Sequence, residues 1–270
     1  MLHFVDSGPV EPGGPPDAGP PLVLLHAFPM DGALWAAQRR ALGREGRRVI
    51  TPDLPGFGGS PLSEAPPSLD VVADEVAALL DELRIERAIV GGLSMGGYVT
   101  MAMLRRHRQR VAAVVLADTK ASADTVEAAA NRHSMADAVE AAGTTAQVAE
   151  AMLPNLLGAT THASRPQVVA TVRRWITAQR PAAVAWAQRA MAARPDALAD
   201  LAAFGGPVLC LTGAEDAIAT PADAAAMAEA ARSGGSQTTV VEVPGAGHLS
   251  AIEDPDAVTG ALRGWLTALD

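Results

Sequence analysis

Three residues have the types and the chain order for nucleophilic acyl chemistry. They are Ser94 in "GGLSMGG" (91–97), Asp216 in "GAEDAIATP" (213–221) and His248 in "GAGHLSAIEDP" (245–255). A serine hydroxyl is a poor nucleophile until a neighbouring base takes its proton. An imidazole base in turn needs a carboxylate that fixes its tautomer and stabilises the imidazolium. Four glycines surround the one hydroxyl in seven residues, a composition suited to neither a strand nor a helix interior.

The elements around these residues explain the glycines. "GLSMG" (92–96) fits G-x-S-x-G; it follows the apolar run "RAIVGG" and precedes the helical stretch "GGYVTMAMLRRH". A strand that turns sharply into a helix holds its central residue in a strained backbone and leaves no room for bulky neighbours. Such a turn lifts the Ser94 hydroxyl clear of a sheet and sets it at a helix N-terminus, where free amides and the dipole favour negative charge. Asp216 and His248 each follow an apolar run, at 207–213 and 238–245, so all three sit at strand ends. An oxyanion would be held by the Phe28 amide, from the loop "HAFPMDGALW" (26–35), and by the amide of Met95, the residue after the nucleophile.

The same alternation runs along the chain. "PLVLLHAF" (21–28), "RRVITPD" (47–53), "RAIVGG" (87–92), "VAAVVLADT" (111–119), "PVLCLTG" (207–213) and "TTVVEVPG" (238–245) read as strands buried on both faces, and "MLHFVDSG" as an edge strand. Helical patterns such as "SLDVVADEVAALLDELRI" and "DAVTGALRGWLTAL" separate them. This predicts an α/β fold with a doubly wound, mostly parallel sheet. From 121 to 203 strands vanish and only helical patterns remain, so residues 1–120 and 204–270 are expected to form the core and 121–203 an inserted helical lid. The Gly/Pro stretch at 8–21 reads as a loop.

With these motifs in place, the chain resembles the α/β-hydrolase superfamily almost end to end. The likeness rests on "HAFP", "DLPGFGGS" (53–60), "GGLSMGG", "GAEDAIATP" and "GAGHLSAIEDP". It is nearest to the small lidded esterases and enol-lactone hydrolases. Ala27 stands where the family's His-Gly oxyanion motif has its glycine, a mild departure because the backbone amide does the work. The resemblance implies a Ser94–Asp216–His248 triad, no cofactor, and a small carboxylic ester or lactone as substrate. The same frame serves C–C bond hydrolysis, lyase chemistry and perhydrolysis, so it does not name the reaction. A noncatalytic receptor using the pocket is the rival of another class. Carboxylate-nucleophile chemistry is excluded by the serine at 94. A dinucleotide site is disfavoured because the glycines lack G-x-G-x-x-G spacing.

Other residues fill out the reading. His26 is expected to brace the oxyanion loop and Asp53 to shape its turn. His107 is expected at a solvated helix end, with His133 and His162 in the lid. Asp118, at the end of the preceding strand, is the alternative acid. Glu215 adjoins Asp216 but points elsewhere. Met30, Trp35, Trp175, Trp186 and Met191 are candidate pocket residues, with core packing equally open to each. Cys210, the only cysteine, is read as a small buried hydrophobe; it forms no intrachain disulfide, and no residue pair has zinc-ligand spacing. A formal net charge of −9 over 270 residues argues against nucleic acid as partner. No apolar run reaches the ~18 residues a membrane helix needs, and the N-terminus lacks a secretory pattern. The expectation is a cytoplasmic protein with no membrane partner.

Overall fold

The computed structural model describes residues 1–8 and 19–269. Most of the expected loop at 8–21 therefore lies outside the described residues. Seven strands form one sheet in the order β1-β3-β2-β4-β5-β6-β7. They are β1 (Phe4–Asp6), β2 (Leu22–Leu25), β3 (Val49–Pro52), β4 (Ala88–Leu93), β5 (Val111–Ala117), β6 (Val208–Gly213) and β7 (Thr238–Val243). β1 runs antiparallel to β3, and every other pairing is parallel. β1 forms one edge; from β2 the chain steps out to β3, then crosses back past β2 to β4 and continues through β5 and β6 to β7 at the other edge, as a doubly wound sheet requires.

Continuous apolar runs make sense in this setting. Every residue of β2, β3, β4 and β6 is buried, because helices cover both faces. β7 departs from the expectation: Thr239, Val240 and Glu242 are exposed and only Val243 is buried. It is an edge strand, so a β-branched run here reflects strand propensity more than burial.

The helices are α1 (Ala36–Arg44), α2 (Leu69–Glu82), α3 (Met95–His107), α4 (Val126–Ala142), α5 (Ala146–Leu156), α6 (Ala159–Ser164), α7 (Pro166–Thr177), α8 (Pro181–Ala192), α9 (Leu198–Ala202), α10 (Pro221–Ser233), α11 (Ser250–Glu253) and α12 (Pro255–Thr267). α1 packs on α12 and β3, while α2, α3, α9 and α10 form a second group against the sheet. α2 shows why the sequence chooses helix. Ser68 caps its first turn by accepting from the Asp70 amide, and Val72, Val76, Leu79 and Leu80 fall on one buried stripe. α4–α9 fill the interval between β5 and β6, and α4 packs along α8.

The helical interval is tied down by polar contacts at several points. The Trp186 indole N–H donates to the Ala65 carbonyl at 3.1 Å, and Arg165 donates to the Glu253 carbonyl at 2.7 Å. At its root, Asp124 pairs with both Arg132 (2.5 Å) and Arg194 (2.8 Å). Burial alone would raise the Asp124 carboxyl. The two guanidiniums outweigh it and hold the carboxyl below its ordinary value. The Arg194 guanidinium also lies over the Tyr98 ring, 4.1 Å from its centre.

Candidate active site

Ser94 sits between β4 and α3 with φ 53° and ψ −111°, a backbone that L-residues seldom adopt. The glycines are needed by close approach rather than by dihedral angle. A Cβ on Gly92 would lie 2.0 Å from the Gly96 carbonyl carbon, and one on Gly96 would lie 2.2 Å from the Leu25 carbonyl oxygen. Two further bonds fix the turn. The Ser94 amide donates to the Ala117 carbonyl at 3.0 Å, and the Thr119 hydroxyl donates to the Ser94 carbonyl at 2.9 Å.

Asp216 follows β6, and His248 follows β7. His248 Nε2 is 2.8 Å from Ser94 Oγ, and Nδ1 is 2.9 Å from Asp216 Oδ2. Asp216 Oδ1 accepts the amides of Ile218 (2.8 Å) and Ala219 (3.0 Å). The carboxylate is thus aimed by its own turn to accept a hydrogen bond from Nδ1–H. That tautomer leaves the Nε2 lone pair for the serine hydroxyl to donate into. His248 and Asp216 are almost wholly buried, and Ser94 is only slightly less so.

Of the expected oxyanion donors, the Met95 amide adjoins Ser94 in the chain, and the Phe28 amide lies in the loop after β2. The Met95 amide opens α3 and so has no intrahelical acceptor. No acceptor among the described residues takes the Phe28 amide. His26 holds the loop between them and the sheet: Nδ1 donates to the Ala27 carbonyl at 2.9 Å, and Nε2 accepts the Leu54 amide at 2.9 Å. Full burial lowers its pKa, which suits a neutral ring bonded at both nitrogens. Asp53 does shape the neighbouring turn, accepting from Gly32 and Gly59, both at 2.8 Å, with His3 2.7 Å away.

The other sequence candidates fall into distinct places. Asp118 does not bond the imidazole; its partners are Gly213 and Ser250. Glu215 turns outward to the Thr160 amide and hydroxyl, and those bonds hold its carboxyl below its ordinary value. Trp35 is a core residue behind the oxyanion loop, donating from its indole to the Leu25 carbonyl at 2.9 Å. Met30, Met191 and Trp186 are also buried. Trp175 lines a groove of about 350 Å³ with Leu34, Val168, Thr171, Ala251 and Ile252; neither Ser94 nor His248 is on its walls. The structure does not bring Trp175 to the serine. His107 ends α3 as expected, but it pairs with Asp74 of α2 at 2.7 Å rather than standing free. Burial raises the Cys210 thiol to about 12, in keeping with an inert core position.

One residue of the site escaped the sequence reading. Glu253 accepts the amides of Gly247 (2.9 Å) and Leu249 (3.1 Å), which flank His248, and the Gly158 amide (2.8 Å) between α5 and α6. Its only sequence signal was its place in "GAGHLSAIEDP", five residues after the histidine. Among the described residues, no cluster of three or more His, Cys, Asp and Glu side chains could hold a metal ion. Among the described residues, no helix is long and apolar enough to cross a membrane.

Fold and site define the class. The family model described as alpha/beta hydrolase fold matches residues 20–255, and the chain belongs to that family. Two solved structures share it nearly end to end. A thermophilic esterase from Thermogutta terrifontis is 39% identical, with 99% of this chain and 93% of that one covered and a TM-score of 0.91. The enol-lactonase from Burkholderia xenovorans LB400 is 29% identical, with 98% and 96% covered and a TM-score of 0.84. A pimeloyl-[acyl-carrier protein] methyl ester esterase of Aromatoleum aromaticum is 43% identical over 100 residues, 37% of each chain. The chain likewise matches only about a third of the length of the first curated relatives, such as 34% of an acetyltransferase component of the acetoin cleaving system from Pseudomonas putida.

Proposed function

We propose that the chain is a serine hydrolase that cleaves a small carboxylic ester or lactone through an acyl-enzyme. The observation that carries this reading is the unbroken line from Ser94 Oγ through His248 to Asp216, at 2.8 and 2.9 Å. The esterase and the enol-lactonase with which the chain shares its whole length support the substrate class. Ser94 attacks the acyl carbonyl while His248 Nε2 takes its proton, and Asp216 stabilises the imidazolium. The Met95 and Phe28 amides receive the developing oxyanion. His248 then protonates the leaving alcohol or enol. Water repeats the sequence on the acyl-enzyme, releasing the acid and restoring the serine.

A panel of p-nitrophenyl esters of increasing acyl length, with simple lactones alongside, tests the reading. Turnover of one of them is expected. Saturable binding without any turnover would instead make the pocket a receptor.

The pH profile offers a second check. Protonation fills the Nε2 lone pair, so His248 can no longer accept from Ser94, and kcat/KM falls as the medium becomes acidic. A profile flat down to about pH 5 would remove histidine as the base.

Residues 121–203 act, in this reading, as a lid that sets substrate choice rather than chemistry. Trp186 is the residue to vary, being buried in α8 and tied to the loop at Ala65. Trp186→Ala is expected to shift the preferred acyl length while Ser94 stays reactive toward a small fluorophosphonate. An unchanged preference would assign Trp186 to packing alone.

A further inference from the structure

Asp118 follows β5, is fully buried, and has a backbone φ of 42°. Its Oδ1 accepts the Gly213 amide at 2.9 Å. Its Oδ2 accepts both the Ser250 amide at 3.0 Å and the Ser250 hydroxyl at 2.6 Å. Gly213 ends β6, three residues before Asp216, and Ser250 lies two residues after His248. One carboxylate therefore joins the two strand-end loops that carry the acid and the base.

We propose that Asp118 is a positioning residue for His248, clamping the His248 loop to the end of β6 through Ser250 and Gly213. The inference rests on the reading of His248 as the base of a serine hydrolase.

Only an ionised carboxylate accepts from all three donors at once. A protonated acid turns an O–H into this set of donors and accepts from them more weakly, and an amide must turn its NH2 toward the Ser250 or the Gly213 amide, leaving that N–H unpaired. The fold maintains this charge in an unfavourable place. Burial raises the carboxyl to about 7; the like charge of Asp216 adds to the rise, and His248, the Ser250 hydroxyl and the Gly213 amide partly offset it. Asp216 and His248, from the two loops being joined, are the charged groups acting on it.

The clamp predicts how activity and pH are linked. At pH 8.5 wild-type Asp118 is ionised and the clamp is engaged. As pH falls through about 7 the carboxyl takes a proton, and the wild type comes to resemble Asp118→Asn.

The test compares wild type, Asp118→Asn and Ser250→Ala on one p-nitrophenyl ester from pH 5.5 to 8.5. A fluorophosphonate titration counts reactive serines, and Ser94→Ala serves as the reference. At pH 8.5, Asp118→Asn is expected to lose about tenfold in kcat with KM within about twofold, while still titrating one serine per chain. The wild-type advantage should shrink toward unity by about pH 6. A merely structural role would lower the number of titratable serines and leave kcat per site and its pH dependence unchanged, which would overturn the inference. So would a loss as deep as that of Asp216→Asn, since Asp118 would then be the acid itself. If Asp118→Asn does not fold, Ser250→Ala decides: a severalfold loss in kcat at constant KM is expected, and wild-type kcat overturns the proposal. Activity retained in Ser94→Ala would instead defeat the serine-hydrolase reading. A silent Ser94→Ala beside a fully active Asp118→Asn defeats the clamp alone.

Discussion

Ser94→Ala is expected to lower kcat by on the order of 10⁴-fold or more while leaving the fold unchanged. The hydroxyl makes one side-chain bond, to His248, and alanine fits the strained turn no worse than serine does, so the loss is chemical rather than structural. Residual activity would be limited to what the Met95 and Phe28 amides supply by polarising the carbonyl. The companion measurement is covalent. A fluorophosphonate or sulfonyl fluoride should add once per chain, abolish ester hydrolysis and map to the peptide containing "GLSMG". An adduct on another residue, or undiminished turnover in Ser94→Ala, would discard the nucleophile.

Asp216→Asn is expected to lose about 10⁴-fold in kcat, as when a triad acid becomes an amide. The geometry gives the reason. Asp216 Oδ1 is held by the Ile218 and Ala219 amides, so the carbonyl oxygen of an asparagine must take that place. The amide nitrogen is then forced toward His248 Nδ1, a donor facing the atom that ought to donate. The ring answers by moving its proton to Nε2, and the serine loses its acceptor. Asp118→Asn makes no such demand on the imidazole, and its cost is about tenfold, or roughly 1.4 kcal/mol. The reverse ranking, with circular dichroism unchanged in both variants, would move the acid to the end of β5.

The sheet and the serine were legible because the physics that shapes them is local. A strand buried on both faces must be apolar throughout, and a turn as tight as that at Ser94 admits only glycine at Gly92 and Gly96. β1 was read as an edge strand, though not its antiparallel direction, and the all-helical interval before β6 followed from the absence of strand patterns. The exposure of β7 was hidden, since a β-branched run looks alike at an edge and in the middle of a sheet. Asp118 was legible only as a strand-end carboxylate. Its partners lie 95 and 132 residues further on, and two of the three donors are backbone amides with no residue identity to read. Trp175 was named for its size, which does not say which side of α7 it occupies.

Glu253 gives the helical interval and the base a common anchor. Two of its three amide donors bracket His248, and the third, Gly158, belongs to the junction of α5 and α6. A displacement of that junction that broke the Gly158 bond would leave the buried carboxylate short of a donor. The imbalance would fall on the segment that aims the imidazole. The aim of the imidazole and the seating of the helical interval thus share one mechanical linkage, a single buried carboxylate.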